Sequence, residues 1–154
     1  MIISTIKFLK EDAQFLNESK PDSYFYENLV RDIFKAGIKA STVTSKLPSI
    51  KEAFADFDTR QVSNYNSSYL SKILANPKII RNKRKFRDCI LNAKTMKRLS
   101  DEYGSFGEYL RRHSENLQKL ALKLTLRFGS VGQTVALDFL IIFGSLQSLS
   151  VSQT

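Results

Sequence analysis

The sequence predicts an all-α fold. Apolar residues recur every three or four positions along most of the chain, which is the spacing of one face of an α-helix. Short breaks that contain Gly, Pro or Asn separate these stretches. Residues 119–128, KLALKLTLRF, alternate like a β-strand but also fit helical spacing. A single strand in a helical chain would leave its backbone groups without hydrogen-bond partners, so we predict a helix there.

The first predicted helix has Asp22 or Ser23 as its N-cap and ends before Gly37. Its apolar positions follow helical spacing: Phe25, Leu29, Ile33 and Ala36. This regular stripe is the clearest helical signal in the N-terminal half of the chain.

Pro48 divides the next stretch into two predicted short helices, residues 41–47 and 49–57, because proline lacks a backbone N–H and interrupts helices. Asp58 or Thr59 is expected to cap a turn that runs to Asn64. The remaining helices are predicted, in order, over residues 67–75, 82–103, 105–112, 117–128 and 134–143. Either Ser67 or Ser68 is expected to cap the helix that begins there. The last helix is apolar on nearly all sides, so we expect it to be buried.

One domain is expected from 154 residues. We assign residues 1–21 to an N-terminal extension, residues 22–144 to the helical domain and residues 145–154 to a flexible tail. Within the extension, residues 11–17 can form a short helix. No apolar run is long enough to cross a bilayer, and no secretory signal is recognisable, so we expect a cytoplasmic protein without a membrane partner.

Several classes of site are excluded by composition. Cys89 and His113 are the single cysteine and histidine, so neither a disulfide nor a Cys/His zinc site can be assembled from such residues alone. No glycine-rich phosphate loop is present. We therefore expect no metal and no cofactor. A carboxylate-assisted reaction, a binding module or a structural role remains.

Positive charge is concentrated in one part of the chain. The net charge is +9, from 24 basic and 15 acidic residues. Between Asn76 and Arg98 nine basic residues face one acidic residue, Asp88, whereas the other residues carry 15 basic and 14 acidic groups. This concentration predicts a polyanionic partner, and the alternative is a solvated basic helix face.

The same region predicts two helices joined by a tight turn at Asn76-Pro77-Lys78. The N-terminus of the second helix offers backbone N–H groups to a phosphate, and basic side chains surround it. We predict contact with the DNA backbone from this element: Lys78, Arg81, Asn82, Lys83, Arg84 and Lys85. Many helix hairpins are only structural, which is the alternative.

Four segments in order then identify a resemblance. They are FKAGIKASTV, FADFDTRQV, IIRNKRKFRDCILNA and YGSFGEYL. Together they resemble the DNA-3-methyladenine glycosylase I family, whose pattern includes AGLSW, IIRNxxKI…NA and GSFxxYL. The match extends over about residues 22–144. It implies a compact helical domain of the helix–hairpin–helix DNA glycosylase type.

The resemblance also implies a reaction. Family members bind double-stranded DNA, rotate a damaged nucleotide out of the base stack and hydrolyse its N-glycosidic bond, with 3-methyladenine as the preferred base. They are monofunctional and use no cofactor, and we expect a monomer. The competing hypothesis is a non-catalytic DNA-binding module that has lost the base pocket. A structural adaptor explains neither the concentrated charge nor the ordered motifs.

Asp32 matches the pocket glutamate of the family and is the predicted catalytic residue. It lies on the apolar stripe of the first helix, where a carboxylate is costly unless it is paired or used. The alternative is a rim aspartate paired with Lys35 or Lys39. Gly37 and Ile38 match the DNA-intercalating loop, and the alternative is a helix end with a buried isoleucine.

The base pocket departs from the family pattern in residue type. Ala40 occupies the position of the family's tryptophan, so Tyr24 or Phe34 is predicted to supply the aromatic surface. Asp138 is an unexpected acidic residue that serves either catalysis or pairing. The family's N-terminal Tyr–His segment and its C-terminal zinc-binding tail have no counterpart, as in a shorter, zinc-free branch.

Overall fold

The computed structural model describes residues 20–141. In this part of the chain the protein is helical and contains no β-strand, which confirms the predicted fold class. The predicted helix at residues 11–17, nearly all of the N-terminal extension and the tail at 145–154 lie outside the described residues.

The helices are numbered here along the chain. They are α1 (Asp22–Lys35), α2 (Ala40–Ala53), α3 (Thr59–Val62), α4 (Ser67–Ala75), α5 (Lys83–Tyr103), α6 (Phe106–Arg112), α7 (Leu117–Arg127) and α8 (residues 133–141). The segment that alternates like a strand is thus part of helix α7, as predicted.

Side-chain caps fix where five of these helices begin. In each case the side chain accepts a hydrogen bond from a backbone N–H of the first turn. The caps are Asp58 for α3, Asn66 for α4, Asn82 for α5, Ser105 for α6 and Asn116 for α7. The prediction that Ser67 or Ser68 caps α4 was therefore wrong by one residue. At the other end of α5, Gly104 adopts φ 93°, a conformation that glycine tolerates.

The prediction of two helices around Pro48 was also wrong. Helix α2 continues through Pro48, because Val43 before it and Ile50 after it are both buried and hold the two halves on the core. The helix ends at Ala53, and residues 55–57 form a left-handed turn with φ values of 49°, 55° and 63°.

This left-handed turn costs about 1–2 kcal/mol per residue for L-amino acids. The reversal of the chain packs Phe54 and Phe57 against the ring of Tyr26. Each of their ring centroids lies 6.1 Å from the Tyr26 centroid. Burial of two aromatic side chains offsets the backbone cost.

Helix α8 is buried on one face only, contrary to the prediction. Val135 and Leu140 lie in the core, whereas Leu137 is 37% exposed and Ile141 is 58% exposed. Its continuous apolar sequence therefore does not place it in the centre of the domain.

Helices α1 and α5 form the centre of the domain. The Tyr26 side chain is fully buried, and its hydroxyl donates a 2.7 Å hydrogen bond to the backbone oxygen of Cys89. On the same side of α1, the ring of Phe34 packs 4.8 Å from that of Phe86. These contacts fix the position of α1 along the N-terminal half of α5.

The turn before α8 is tied to α5 by a buried asparagine. The side chain of Asn92 donates to the backbone oxygen of Gly129 at 2.9 Å and accepts from its N–H at 2.8 Å. In the same turn the Ser130 hydroxyl donates to Asp88 at 2.7 Å. A Cβ atom at position 129 would lie 2.8 Å from the carboxyl carbon of Asp88, so only glycine fits.

We predict that Asn92→Ala destabilises the fold by about 2–3 kcal/mol, because it leaves two partly buried backbone groups of Gly129 without their partner. Urea unfolding followed by circular dichroism measures this change. The matched control is Asn64→Ala, since the Asn64 amide is exposed and a surface change stays within about 0.5 kcal/mol. Equal stability of the two variants would contradict the structural role of Asn92.

Candidate active site and nucleic-acid interface

The predicted hairpin is formed by α4, the turn at residues 76–79 and α5. The backbone oxygen of Asn76 accepts from the N–H of Ile79 at 3.1 Å, and its side chain accepts from the N–H of Lys78 at 3.0 Å. Ile79 is buried in the core, whereas Pro77 and Lys78 are exposed. The turn is thus anchored from inside and presents its tip to solvent.

The N-terminus of α5 is the candidate phosphate site. Asn82 caps the helix by accepting from the N–H of Lys85 at 3.1 Å. The other N–H groups of a first helical turn have no partner within the helix and carry partial positive charge. Arg81, Lys83 and Arg84, which are predicted to contact a DNA backbone, are exposed around this turn.

Lys85 differs from the other basic residues of the hairpin. Its Nζ donates a 2.6 Å hydrogen bond to the backbone oxygen of Ala36, at the C-terminal end of α1. Burial lowers the pKa of this amine. Lys85 therefore links the hairpin to the predicted intercalating loop, a contact that sequence reasoning did not anticipate.

The predicted intercalating loop follows α1 directly. Gly37 is exposed at φ +80°, with open space around the position of a Cβ atom. Ile38 is half-buried against the core, and its N–H donates to the backbone oxygen of Lys35 at 3.2 Å. The side chain nevertheless keeps part of its apolar surface accessible.

Asp32 lies one turn of α1 before this loop and is half-buried. Burial raises the pKa of its carboxyl group to about 6, an effect that the positive charge of Lys35 opposes and the negative charge of Asp138 increases. Arg31 also lowers the pKa slightly. Within residues 20–141 no hydrogen bond or salt bridge holds this carboxylate, so the predicted alternative of an ion pair with Lys35 or Lys39 is not formed there.

The raised pKa has a consequence for stability. A carboxyl group with a folded-state pKa near 6 and an unfolded value near 3.8 favours the fold when protonated, below about pH 4. This contribution is lost as the pH rises through 6, so the ionised Asp32 destabilises the fold at neutral pH. A group that costs stability is a candidate for function.

Asp138 is an exposed residue of α8. The negative charge of its carboxylate raises the pKa of Asp32. The aromatic rings of Phe25, Phe106 and Phe139 pack in sequence between α1, α6 and α8, with centroid distances of 5.8 and 6.5 Å. These ring contacts join the N-terminal part of α1 to α6 and α8.

The structure does not bring the predicted aromatic residues to Asp32. Phe34 is fully buried against Phe86, and two helical residues turn the chain by about 200°, so its ring points away from the Asp32 side. Tyr24 lies eight residues earlier on α1, about 12 Å along the helix axis. Ala40 is exposed at the start of α2 and offers only a methyl group.

Comparison with known proteins identifies the family. The methyladenine glycosylase family matches residues 11–141 of the sequence. The chain belongs to this family.

Three solved structures have the same fold. A variant of 3-methyladenine DNA glycosylase I in complex with 3-methyladenine is 19% identical over 82% of this chain and 80% of that chain, with a TM-score of 0.72. The enzyme from Staphylococcus aureus, described for its recognition of 3-methyladenine, is 19% identical over 81% and 77%, with a TM-score of 0.72. Another 3-methyladenine DNA glycosylase I is 22% identical over 82% and 81%, with a TM-score of 0.72.

Family membership makes hydrolysis of an N-glycosyl bond in DNA the activity of this chain, and the non-catalytic binding module is not favoured. Among residues 20–141 no helix is long and apolar enough to cross a membrane. The same part of the chain contains no group of three or more His, Cys, Asp or Glu residues arranged to hold a metal ion.

We predict that neutralising Arg81, Lys83 and Arg84 to Gln weakens binding to any DNA duplex. The slope of log K against log salt should fall by about 0.9 for each phosphate contact that is lost. Fluorescence anisotropy over a series of salt concentrations measures this slope.

The control for this triple variant removes the same charge elsewhere. Lys119, Lys123 and Arg127 are exposed on α7, and their change to Gln should leave the slope nearer to that of the unmodified protein. Equal slopes for the two triple variants would show that net charge, rather than the hairpin, determines binding.

Proposed function

We propose that this protein removes 3-methyladenine from double-stranded DNA as a monofunctional glycosylase, with Asp32 as its catalytic carboxylate. The observation that carries the proposal is the state of Asp32, which is half-buried, free of ion pairs within residues 20–141 and next to the loop that Lys85 joins to the hairpin. A binding module would gain nothing from keeping this carboxylate.

The charge of the proposed substrate fits this carboxylate. 3-Methyladenine in DNA is cationic, and the deoxyribose gains positive charge as the N-glycosidic bond breaks. The bonding electron pair leaves with the base, which becomes neutral, while water adds a hydroxyl group to the anomeric carbon and gives up its proton. An ionised Asp32 in a partly desolvated position stabilises the positive charge that develops on the sugar.

The remaining groups have separate roles in the proposal. The N-terminus of α5, with Arg81, Lys83 and Arg84, holds phosphates of the strand that carries the damaged base. Ile38 enters the gap left in the base stack, and Gly37 allows close approach of the backbone to DNA. Base flipping of this kind needs both a backbone clamp and a wedge.

We also propose that the protein acts as a monomer in the cytoplasm. One hairpin and one carboxylate, carried by a single chain, make up the set of groups that the reaction uses in this proposal. The aromatic role predicted for Tyr24 and Phe34 finds no support in their positions, and the reaction as proposed depends on charge rather than on stacking.

We predict that Asp32→Asn lowers the single-turnover rate of 3-methyladenine release by about 10²–10³-fold, because it removes a charge placed where positive charge develops. The measurement is chromatography of bases released from methylated DNA. The control is Glu27→Gln in the same helix. It removes a carboxylate that already pairs with Arg31 at 3.8 Å. Comparable loss in both variants, or none in Asp32→Asn, would rule out the proposed role.

We predict that the rate depends on pH through Asp32. The ionised form is the active one and its pKa is about 6, so the rate should rise tenfold per pH unit below 6 and become constant above about 7. The charged groups that act on Asp32 are Lys35, Arg31 and Asp138. Of these three, only Asp138 adds to the rise in pKa that burial causes. Asp138→Asn should therefore move the midpoint to lower pH, and a midpoint that moves upwards or stays in place would contradict the assignment.

A further inference from the structure

We propose that Lys85 is a positioning residue that holds the loop Ala36–Ile38 at a fixed distance from the phosphate-binding end of α5. This inference rests on the proposed function and extends it, because it assigns one basic residue of the hairpin to the loop rather than to DNA. The loop would then enter the base stack in register with the bound phosphate.

The contact itself is strong and spans the sequence. Nζ of Lys85 donates to the backbone oxygen of Ala36 at 2.6 Å, and the two residues are 49 positions apart. Ala36 is the C-cap of α1, so its carbonyl group lies at the negative end of the helix dipole. The backbone angles of Ala36 are extended. A charged donor at this position forms a shorter and stronger hydrogen bond than a neutral one.

The rest of Lys85 is also held in place. Its backbone N–H donates to the side chain of Asn82 in the first turn of α5. Its Nζ lies 5.9 Å from the ring centroid of Phe34, which in turn packs on Phe86. One residue is therefore attached to the cap of the phosphate site through its backbone and to the loop through its side chain.

The loop has few other connections. The N–H of Ala36 donates to Ile33 and that of Ile38 to Lys35, and both bonds stay within a few residues of the loop. Among the described residues, Lys85 makes the one hydrogen bond that reaches residues 36–39 from a distant part of the chain. Because Gly37 is flexible and exposed, loss of this bond would leave the loop held by the half-buried Ile38.

The neighbouring residues show that charge alone does not explain Lys85. Arg81, Lys83 and Arg84 are exposed, whereas Lys85 is half-buried and its amine is engaged by a carbonyl group. A lysine that contacted phosphate would contribute to the salt dependence of DNA binding. A lysine that positions the loop would instead affect the step in which the base leaves the stack.

The test compares Lys85→Met with the matched control Lys83→Met. Both variants lose one charge at the start of α5, and only the first loses the bond to Ala36. The probe for binding and base eversion is a DNA duplex with 2-aminopurine next to an abasic site, and methylated DNA serves for base release.

For Lys85→Met we expect an unchanged salt slope and a DNA affinity within about threefold of the unmodified protein. The single-turnover rate at saturating DNA should be about 10–100-fold lower, because about 1 Å of misplacement of the loop can cause a loss of this size. The 2-aminopurine signal on binding should fall in parallel. For Lys83→Met, which removes a proposed phosphate contact, we expect a slope smaller by about 0.9. Lys85→Arg, which keeps a charged donor, should recover at least part of the rate.

A separate measurement does not depend on activity. Hydrogen exchange at the N–H of Ile38 should become faster in Lys85→Met and stay unchanged in Lys83→Met. If the unmodified protein releases no 3-methyladenine, the proposed function fails, and the exchange and 2-aminopurine measurements still decide on Lys85. A smaller salt slope in Lys85→Met with a normal saturated rate, or unchanged exchange at Ile38, would overturn the positioning role.

Discussion

The packing of α1 against the N-terminal half of α5 is the constraint on which the site depends. Asp32 and the loop at residues 36–38 belong to α1 and its C-terminal end, and the phosphate site belongs to the start of α5. Their separation is fixed by buried contacts, namely the hydrogen bond from Tyr26 to Cys89 and the packing of the Phe34 ring against that of Phe86. A substitution that shifts either helix would therefore change the geometry of the proposed site without altering Asp32 or the basic residues at the start of α5.

Polar side chains at the start and along α5 have separate structural roles in this arrangement. Asn82 begins the helix, Lys85 reaches the loop after α1, and Asn92 holds the turn before α8. Asp88 adds a contact to Ser130 in that turn. One helix thus organises the loop on one side of the site and, through α8, the position of Asp138 on the other.

Much of the fold followed from local sequence, because caps and apolar periods are local signals. The ends of α5 at Asn82 and Gly104 and the helical state of α7 are examples. The left-handed turn at residues 55–57 and the continuation of α2 through Pro48 were missed, since both depend on tertiary burial of neighbouring side chains. Residue propensities include the free-energy cost of such backbone features but not the tertiary contacts that offset this cost.

The candidate site was predictable in part. The position of Asp32 on an apolar stripe indicated an unusual carboxylate, and its half-buried, unpaired state within residues 20–141 agrees with that inference. The partner of Lys85 was not predictable, because a backbone oxygen 49 residues away leaves no mark in the sequence. The backbone partners of Asn92 were unpredictable for the same reason. Because such partners are not visible in the sequence, all the basic and amide residues of the hairpin were predicted to contact DNA, Lys85 included.

Asn92 binds the main-chain carbonyl oxygen and the N–H of Gly129, and the acceptor for Lys85 is likewise a main-chain carbonyl group. Every amino acid carries such a group. Side chains at positions 36 and 38 of the loop that we propose meets the DNA bases can thus change while this anchorage stays the same, whereas the φ of +80° at Gly37 disfavours other residues there. A changed side chain on the loop leaves the acceptor of this bond in place, whereas a changed side chain at Lys85 on α5 removes its donor.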